Sequence, residues 1–231
     1  MKKKHSQVKD IFSETWIVIP GYNEAKYISS VLKKVTKKTK NIIYVDDGSA
    51  DNSTEIAKKF PIHVLRHEIN LGKGAALQTG CDYAFYNMKA KAVIMMDGDD
   101  QHDAEEIPLF RKRLEEGSSL VLGARSLFSS MPLVRKIGNG FVSGVVMLLF
   151  GRYIPDILSG YKAFTAEVYE KIKWSANDYS VELEIAANIA KKRLGFSLVS
   201  IETIYHDMDR GMNVLDSVKV VGKILSLRLG I

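Results

Sequence analysis

The 231 residues are 46% hydrophobic and 26% charged, enough for one substantial core and unlike a disordered or fibrous chain. A net charge of +6 and a pI near 9.2 favour anionic partners such as nucleotides, nucleic acid or acidic lipid surfaces. Cys81 is the only cysteine, which excludes an intrachain disulfide and suits a reducing cytoplasm; within a helical pattern it reads as a small core residue.

The first half alternates between strand and helix patterns. "TWIVIP" (15–20) predicts a strand, and "EAKYISSVLKKV" a helix with Ile28, Val31, Leu32 and Val35 at helical spacing. "NIIYVD" (41–46) is a second strand, followed by a short helix in "DNSTEIAKKF" capped by Asp51, Asn52 or Ser53. "IHVLR" is a third strand, "GKGAALQTGCDYAFYNM" a helix and "KAVIMMD" a fourth strand. "DAEEIPLFRKRLEEG" then reads as a helix ending on Gly117, with "SLVLGAR" as a fifth strand. Such alternation implies crossover units, a mostly parallel sheet with helices on both faces, and ligands at the carboxyl ends of the strands.

The second half is less regular. A helix is expected from about Leu133 to Phe150, and "DILSGYKAF" as a loop with room for a short strand. "SVELEIAANIAKKRLG" reads as an amphipathic helix closed by Gly195, "FSLVSIETIY" as a late strand and "VLDSVKVVGKILSLRL" as a terminal amphipathic helix. No secretory signal is visible behind the opening lysines. The longest apolar stretch, "FVSGVVMLLF" (141–150), is far shorter than the roughly 20 residues that span a bilayer.

The usual nucleotide readers are missing. "PGYNEAKYI" stands where a dinucleotide G-x-G-x-x-G would follow the first strand, and "GKGAAL" lacks the order and hydroxyl of a triphosphate loop. No paired Cys or His spacing supports zinc.

What remains is chemistry at the strand ends. In "VIMMDGDDQHD" (93–103) an apolar run breaks into Asp97, Asp99, Asp100 and Asp103. Asp97 and Asp99, two apart in extended chain, face one point, and Gly98 admits backbone between them. Two hard oxygen ligands leave the remaining shell to water and phosphate, the usual way of holding Mg²⁺ or Mn²⁺. The structural alternative is a polar turn with Asp103 as helix cap. In "VDDGSADNS" a carboxylate is placed to meet a base or ribose, with Gly48 making the turn, although Asp-Gly-Ser is also ordinary turn chemistry. Asn23 or Glu24 in "PGYNE" either serves a base edge or caps a helix. "NLGKGAA" sets Gly72, Lys73 and Gly74 before a helix, where amides and a cation can meet phosphate.

In order and approximate spacing, "IPGYNEAKYI", "VDDGSADNS", "NLGKGAALQTG" and "MDGDDQHD" resemble the donor half of the family 2 glycosyltransferases, and the match covers most of the chain. "LGARS", "MPLVRKIGNG" and "DILSGYKAF" resemble that family's polyprenyl-phosphate (dolichol-phosphate) mannosyl- and glucosyltransferase branch. The resemblance implies a single α/β domain of the nucleotide-sugar-binding GT-A type (Rossmann-like), with about 14–125 as donor half and about 126–231 as acceptor half. It also implies inverting, metal-dependent transfer of a hexose from GDP-mannose or UDP-glucose to polyprenyl or dolichyl phosphate. On this reading Glu24 and Asp47 bind the base and Lys73 lies near the nucleotide. Asp97 and Asp99 hold metal and diphosphate with Gln101 close by, while Arg125, Arg135 and Lys162 meet the acceptor phosphate. Pro20, Tyr22, Gly48, Gly98 and Ser159 complete the substrate-binding set, and Arg210, in the loosely matching "YHDMDRGMN", is a further phosphate or diphosphate ligand. Lys162 replaces the arginine usual in "SGYR", which keeps charge but loses the bidentate fork.

The chemistry is coherent by itself. A divalent ion would stabilise a leaving diphosphate, and a phosphate acceptor, already an anion, needs cations rather than a base. A hydroxyl acceptor, soluble or polysaccharide, would instead need a carboxylate base, for which Asp156, Glu182 and Glu184 are the candidates. A third alternative is a catalytically silent nucleotide-sugar-binding protein. The segment "MPLVRKIGNGFVSGVVMLLFGRYI" fits an amphipathic helix lying in a membrane interface or, equally, a plain core helix. The expectation is a peripheral enzyme on the cytoplasmic membrane face that binds no nucleic acid.

Overall fold

A computed structural model describes residues 13–125, 133–202, 204, 222, 225 and 228, with the side chains of 133–136 outside that description. Strand β1 (Thr15–Gly21) lies centrally and is buried throughout, as an apolar strand covered on both faces must be. Its odd and even positions divide between two cores. Trp16 and Val18 face one together with Val93 and Met95, and Ile17 and Ile19 face the other together with Ile42, Tyr44 and Ile94. Each fully buried aliphatic side chain contributes about 1.5–3 kcal/mol relative to exposure.

Among the described residues seven strands form one sheet in the order β3-β2-β1-β4-β6-β5-β7. Here β2 is Ile42–Asp46, β3 His63–Arg66, β4 Ala92–Met95, β5 Leu120–Arg125, β6 Lys162–Thr165 and β7 Ser197–Ile201. β1 runs parallel to β2 and β4, and β5 parallel to β7, as crossover units require. β6 departs from this: it is antiparallel to both neighbours, β4 and β5. Residues 156–160, which precede it, lie at the carboxyl edge beside Arg125 and Asp97, so the chain enters the sheet from that edge and runs the opposite way.

One face carries helix α1 (Ile28–Val35), which buries the four residues picked out by helical spacing, and α4 (Ile107–Glu115). Between them in sequence come α2 (Ser53–Ala57) and α3 (Lys73–Asp82), which continues into a π-helical turn. Asn52 is the N-cap of α2 and makes no side-chain cap bond; Asp51, one residue earlier, accepts from the Ser53 amide at 2.9 Å. α3 crosses the other face so closely that a methyl at Gly80 would overlap Val18. The second half adds α5 (Leu133–Phe150), α6 (Ala166–Ile172) and α7 (Val181–Lys191). Helix α6 is not marked in the sequence pattern; its two turns bury Val168, Tyr169 and Ile172. α7 stops short of Gly195, because Arg193 turns to a left-handed φ of 49°. α5 is amphipathic: Val142 and Val146 are buried in the core, whereas Ile137, Phe141 and Leu148 are exposed. Among the described residues no helix is long and apolar enough to cross a membrane.

Candidate active site

The carboxyl ends of β1, β2 and β4 open into a cavity of about 370 Å³. Pro20, Tyr22 and Glu24 line it from the end of β1, Asp47 from β2, and Asp97, Gly98 and Asp99 from β4. Lys73 closes it from the start of α3. Eight of the expected site residues therefore share one wall system, as the alternating pattern and its polar strand ends implied. Tyr179, which precedes α7 and is 78% exposed, lines the same cavity, so the second half also contributes to it.

The positive charge beside Asp97 is Lys73. Its ammonium lies 2.8 Å from Asp97 Oδ1 and 2.8 Å from Glu182 Oε1, at the first turn of α7. Burial disfavours the Lys73 charge, but the two carboxylates overcome it and hold the lysine protonated well above its ordinary range. Burial likewise opposes ionisation of Asp97, yet Lys73 and then His102 hold its carboxyl down at about 2. The Asp97 amide donates to His102 Nδ1 at 3.0 Å, which leaves the proton of the neutral ring on Nε2, facing Asp97 Oδ2 at 3.8 Å. Burial pushes His102 down to about 4, and its ring stacks on Tyr161. A Cβ at Gly160 would come within 2.7 Å of Asp97 Oδ2, so the "SGYK" turn needs a glycine there.

The other aspartates separate by role. Asp99 Oδ1 accepts from the Gln101 amide at 3.1 Å, and Gln101, outside the cavity lining, accepts through its carbonyl from Ile204. Asp100, at a left-handed φ of 61°, is held by Lys34 and Ser30 of α1. Asp103 caps a 3₁₀ turn by accepting from the Glu105 amide, as expected.

Asp47 faces the cavity while tying down its rim: its carboxylate accepts from His67 and from the amides of Leu71 and Gly72. Gly48 turns at φ 74° against the backbone of Ile69 and Asn70. Of the pair at the end of β1, Asn23 is structural, its side-chain oxygen accepting from the Ala50 amide, and Glu24 lines the cavity. One expectation is corrected. The amides at the start of α3 are not open to a phosphate, because Gly74 and Ala75 both donate to the carbonyl of Asn177. A methyl at Gly74 would overlap the Ala176 carbonyl, so the glycines serve this close approach. Asn70, Gly72, Lys73 and Ala76 of that motif line the cavity, and Lys73 is the motif's one cation.

The expected acceptor residues lie apart. Arg125, at the end of β5, grips Asp156 through Nε and Nη2 at 2.7 and 2.5 Å, and Asn139 of α5 donates to the same carboxylate at 2.8 Å. Ser159 is buried and outside the cavity lining. Lys162 is also buried, its ammonium turned into its own loop against the carbonyls of Ile157 and Ser159, and burial pulls it down to about 8. Arg135 sits in α5 with its side chain outside the described set, and Arg210 lies outside the described residues altogether. The three candidate bases are engaged: Asp156 by Arg125, Glu182 by Lys73, and Glu184 by the amides of Ser175 and Ala176.

Among the described residues no three metal-ligating side chains cluster. Asp97 and Asp99, two hard oxygen donors that both line the cavity, would leave most of the shell of a Mg²⁺ or Mn²⁺ to phosphate and water. Sequence reading missed His102, Glu182 as partner of Lys73, and Tyr179; the "QHD" after the aspartates was the one local signal.

The family model for glycosyl transferase family 2 matches residues 16–172. An uncharacterised protein of Methanocaldococcus jannaschii is 36% identical, over 99% of this chain and 98% of its own. A UDP-N-acetylglucosamine–dolichyl-phosphate N-acetylglucosaminyltransferase of Methanococcus voltae is 31% identical, over 93% of this chain and 96% of its own. Glucosyl-3-phosphoglycerate synthase of Mycobacterium tuberculosis, crystallised with Mn²⁺, UDP and glucosyl-3-phosphoglycerate, superposes with a TM-score of 0.74 at 19% identity, covering 97% of this chain and 84% of its own. The fold is thus of the GT-A type, and the chain belongs to glycosyl transferase family 2, as an enzyme that transfers glycosyl groups.

Proposed function

We propose that the enzyme moves one sugar from a nucleoside diphosphate to a polyprenyl or dolichyl phosphate, with inversion, at the cytoplasmic membrane face. About 14–125 would supply most of the donor site and about 126–231 the acceptor side. Asp97 and Asp99 would hold Mg²⁺ or Mn²⁺, which supplies charge for the leaving diphosphate when bound. Glu24 and Asp47 would orient the base, and Lys73 the diphosphate. An acceptor phosphate oxygen attacks the anomeric carbon from the side opposite the diphosphate, whose bond breaks, so one displacement inverts the centre. Arg125, its fork oriented by Asp156, and Arg135 would position the attacking phosphate.

The observation that carries this reading is the state of the three candidate bases. Asp156, Glu182 and Glu184 are each bound to a cation or to backbone amides, which suits an acceptor that arrives already ionised. The relative from Methanococcus voltae, named for a dolichyl-phosphate acceptor, supports the same class and adds UDP-N-acetylglucosamine to GDP-mannose and UDP-glucose as donors. The exposed face of α5, with Leu148 at 84% exposure, offers an apolar surface for peripheral contact with the bilayer.

The test is incubation of labelled donors with Mn²⁺ or Mg²⁺ and polyprenyl phosphate. A lipid-linked sugar is expected from one donor. Donor binding without any lipid product, or transfer only to sugar hydroxyls, would refute the acceptor assignment.

A further inference from the structure

Lys73 occupies Asp97 Oδ1, one of the two oxygens that Asp97 could offer a metal ion. Its ammonium contacts Asp97 Oδ1 and Glu182 Oε1 at equal distances of 2.8 Å, with the lysine side chain only 15% exposed. The backbone that carries it is locked. The Gly74 amide donates to Asn177 at 2.6 Å, and the Gly74 carbonyl accepts from Trp174 Nε1 at 2.9 Å. Only the side chain is left to move, between Asp97, Glu182 and whatever anion enters the cavity.

We propose that Lys73 is a built-in counter-ion that occupies Asp97 until a nucleoside diphosphate draws it off, with Glu182 as the positioning residue that holds the ammonium within reach of both. Rested on the donor-site reading above, this makes metal and nucleotide bind as a coupled pair. A divalent cation alone meets a carboxylate already neutralised by an ammonium, and the two cations repel. A diphosphate gives the ammonium a second anion beside Glu182, so Asp97 is released to the metal. The coupling is reciprocal: the metal raises nucleotide affinity by the same factor.

Glu182 and Lys73 act in opposite senses. Without Lys73 the metal has no competitor. Without the Glu182 charge the ammonium is bound by Asp97 alone and competes harder.

The experiment measures binding of Mn²⁺ alone, of UDP and GDP alone, and of each nucleotide with saturating Mn²⁺, by titration calorimetry and by the electron paramagnetic resonance signal of free Mn²⁺. In the wild type the preferred nucleotide and Mn²⁺ should each strengthen the other by at least about fivefold. Lys73→Met should bind Mn²⁺ alone at least about threefold more tightly, bind nucleotide more weakly and lose most of the coupling. Glu182→Gln should bind Mn²⁺ alone more weakly than wild type. The double variant Lys73→Met/Glu182→Gln removes both buried charges, and so tests the idea if a single variant fails to fold; it should bind Mn²⁺ alone more tightly than wild type. A loss of Mn²⁺ affinity in every variant, or additive binding of metal and nucleotide, would overturn the counter-ion role. Wild-type protein that binds neither Mn²⁺ nor nucleotide would instead overturn the donor-site reading beneath it.

Discussion

Asp156→Asn isolates the pair that orients Arg125. Asparagine keeps the shape of the side chain and tolerates the left-handed φ of 46° at this position, so the change removes charge with little backbone strain. In the native fold the Asp156 carboxylate accepts from the Arg125 amide and Nε, both at 2.7 Å, from Nη2 at 2.5 Å and from Asn139 at 2.8 Å. The two side chains are 14% and 4% exposed, so water replaces little of what is lost. Breaking a buried pair from one side costs about 3–5 kcal/mol, and the residual exposure of Arg125 places this one near the lower end, about 3 kcal/mol. For a chain of this size that is a fall in Tm of roughly 6–12 °C. A double-mutant cycle with Arg125→Met should return a coupling energy of about 2 kcal/mol, because the single changes share one interaction. The acceptor KM should rise more than the donor KM. An Asp156→Asn variant within about 0.5 kcal/mol of wild type, with coupling near zero, would refute the reasoning.

Gly74→Ala should destabilise by about 1–3 kcal/mol in chemical denaturation, since its methyl overlaps the Ala176 carbonyl and neither backbone segment can yield without losing the Asn177 contact. Glu106 gives a pH signature. Burial and then neighbouring Asp103 push its carboxyl up to about 7, only partly offset by the Glu202 amide. The folded state therefore holds this proton more tightly than the unfolded chain. Its contribution is complete below the unfolded value and fades as pH rises through about 7, a swing of about 3 kcal/mol. Glu106→Gln should flatten the Tm profile between pH 5 and 8 and raise Tm at pH 8; an unchanged slope would show that Glu106 is not its source. Leu148→Asp, on the exposed face of α5, should leave Tm within about 1–2 °C of wild type and reduce co-sedimentation with anionic vesicles. Unaltered vesicle binding would remove α5 from the membrane contact.

Much of this was legible because it is local. The unbroken apolar run of β1 marks a strand covered on both faces, and the helical spacing of Ile28, Val31, Leu32 and Val35 marks the buried face of α1. The break from Met96 to Asp97 marks where an apolar strand meets the cavity, and Asp103 announces a cap. The remainder depends on pairings between distant segments, which no local pattern encodes. Lys73 meets Glu182 from the other half of the chain. Asn177 supplies a carbonyl to the start of α3, so a glycine-rich turn shaped for close packing looks in sequence like one shaped for phosphate. Arg125 and Lys162 look like exposed cations, yet one is bound to Asp156 and the other is buried against its own loop. The reversal of β6 follows from where a loop returns to the sheet, and its residues, "KAFT", would suit either direction.

The central claim is that the sugar passes to a phosphate and not to a hydroxyl. The most direct measurement supplies the enzyme, its preferred donor and Mn²⁺ with polyprenyl phosphate and, in parallel, with the same polyprenol lacking phosphate. A lipid-linked sugar from the phosphate alone, lost in Asp99→Ala, is the expected result. Equal transfer to the free alcohol, or full activity in Asp99→Ala, would contradict it.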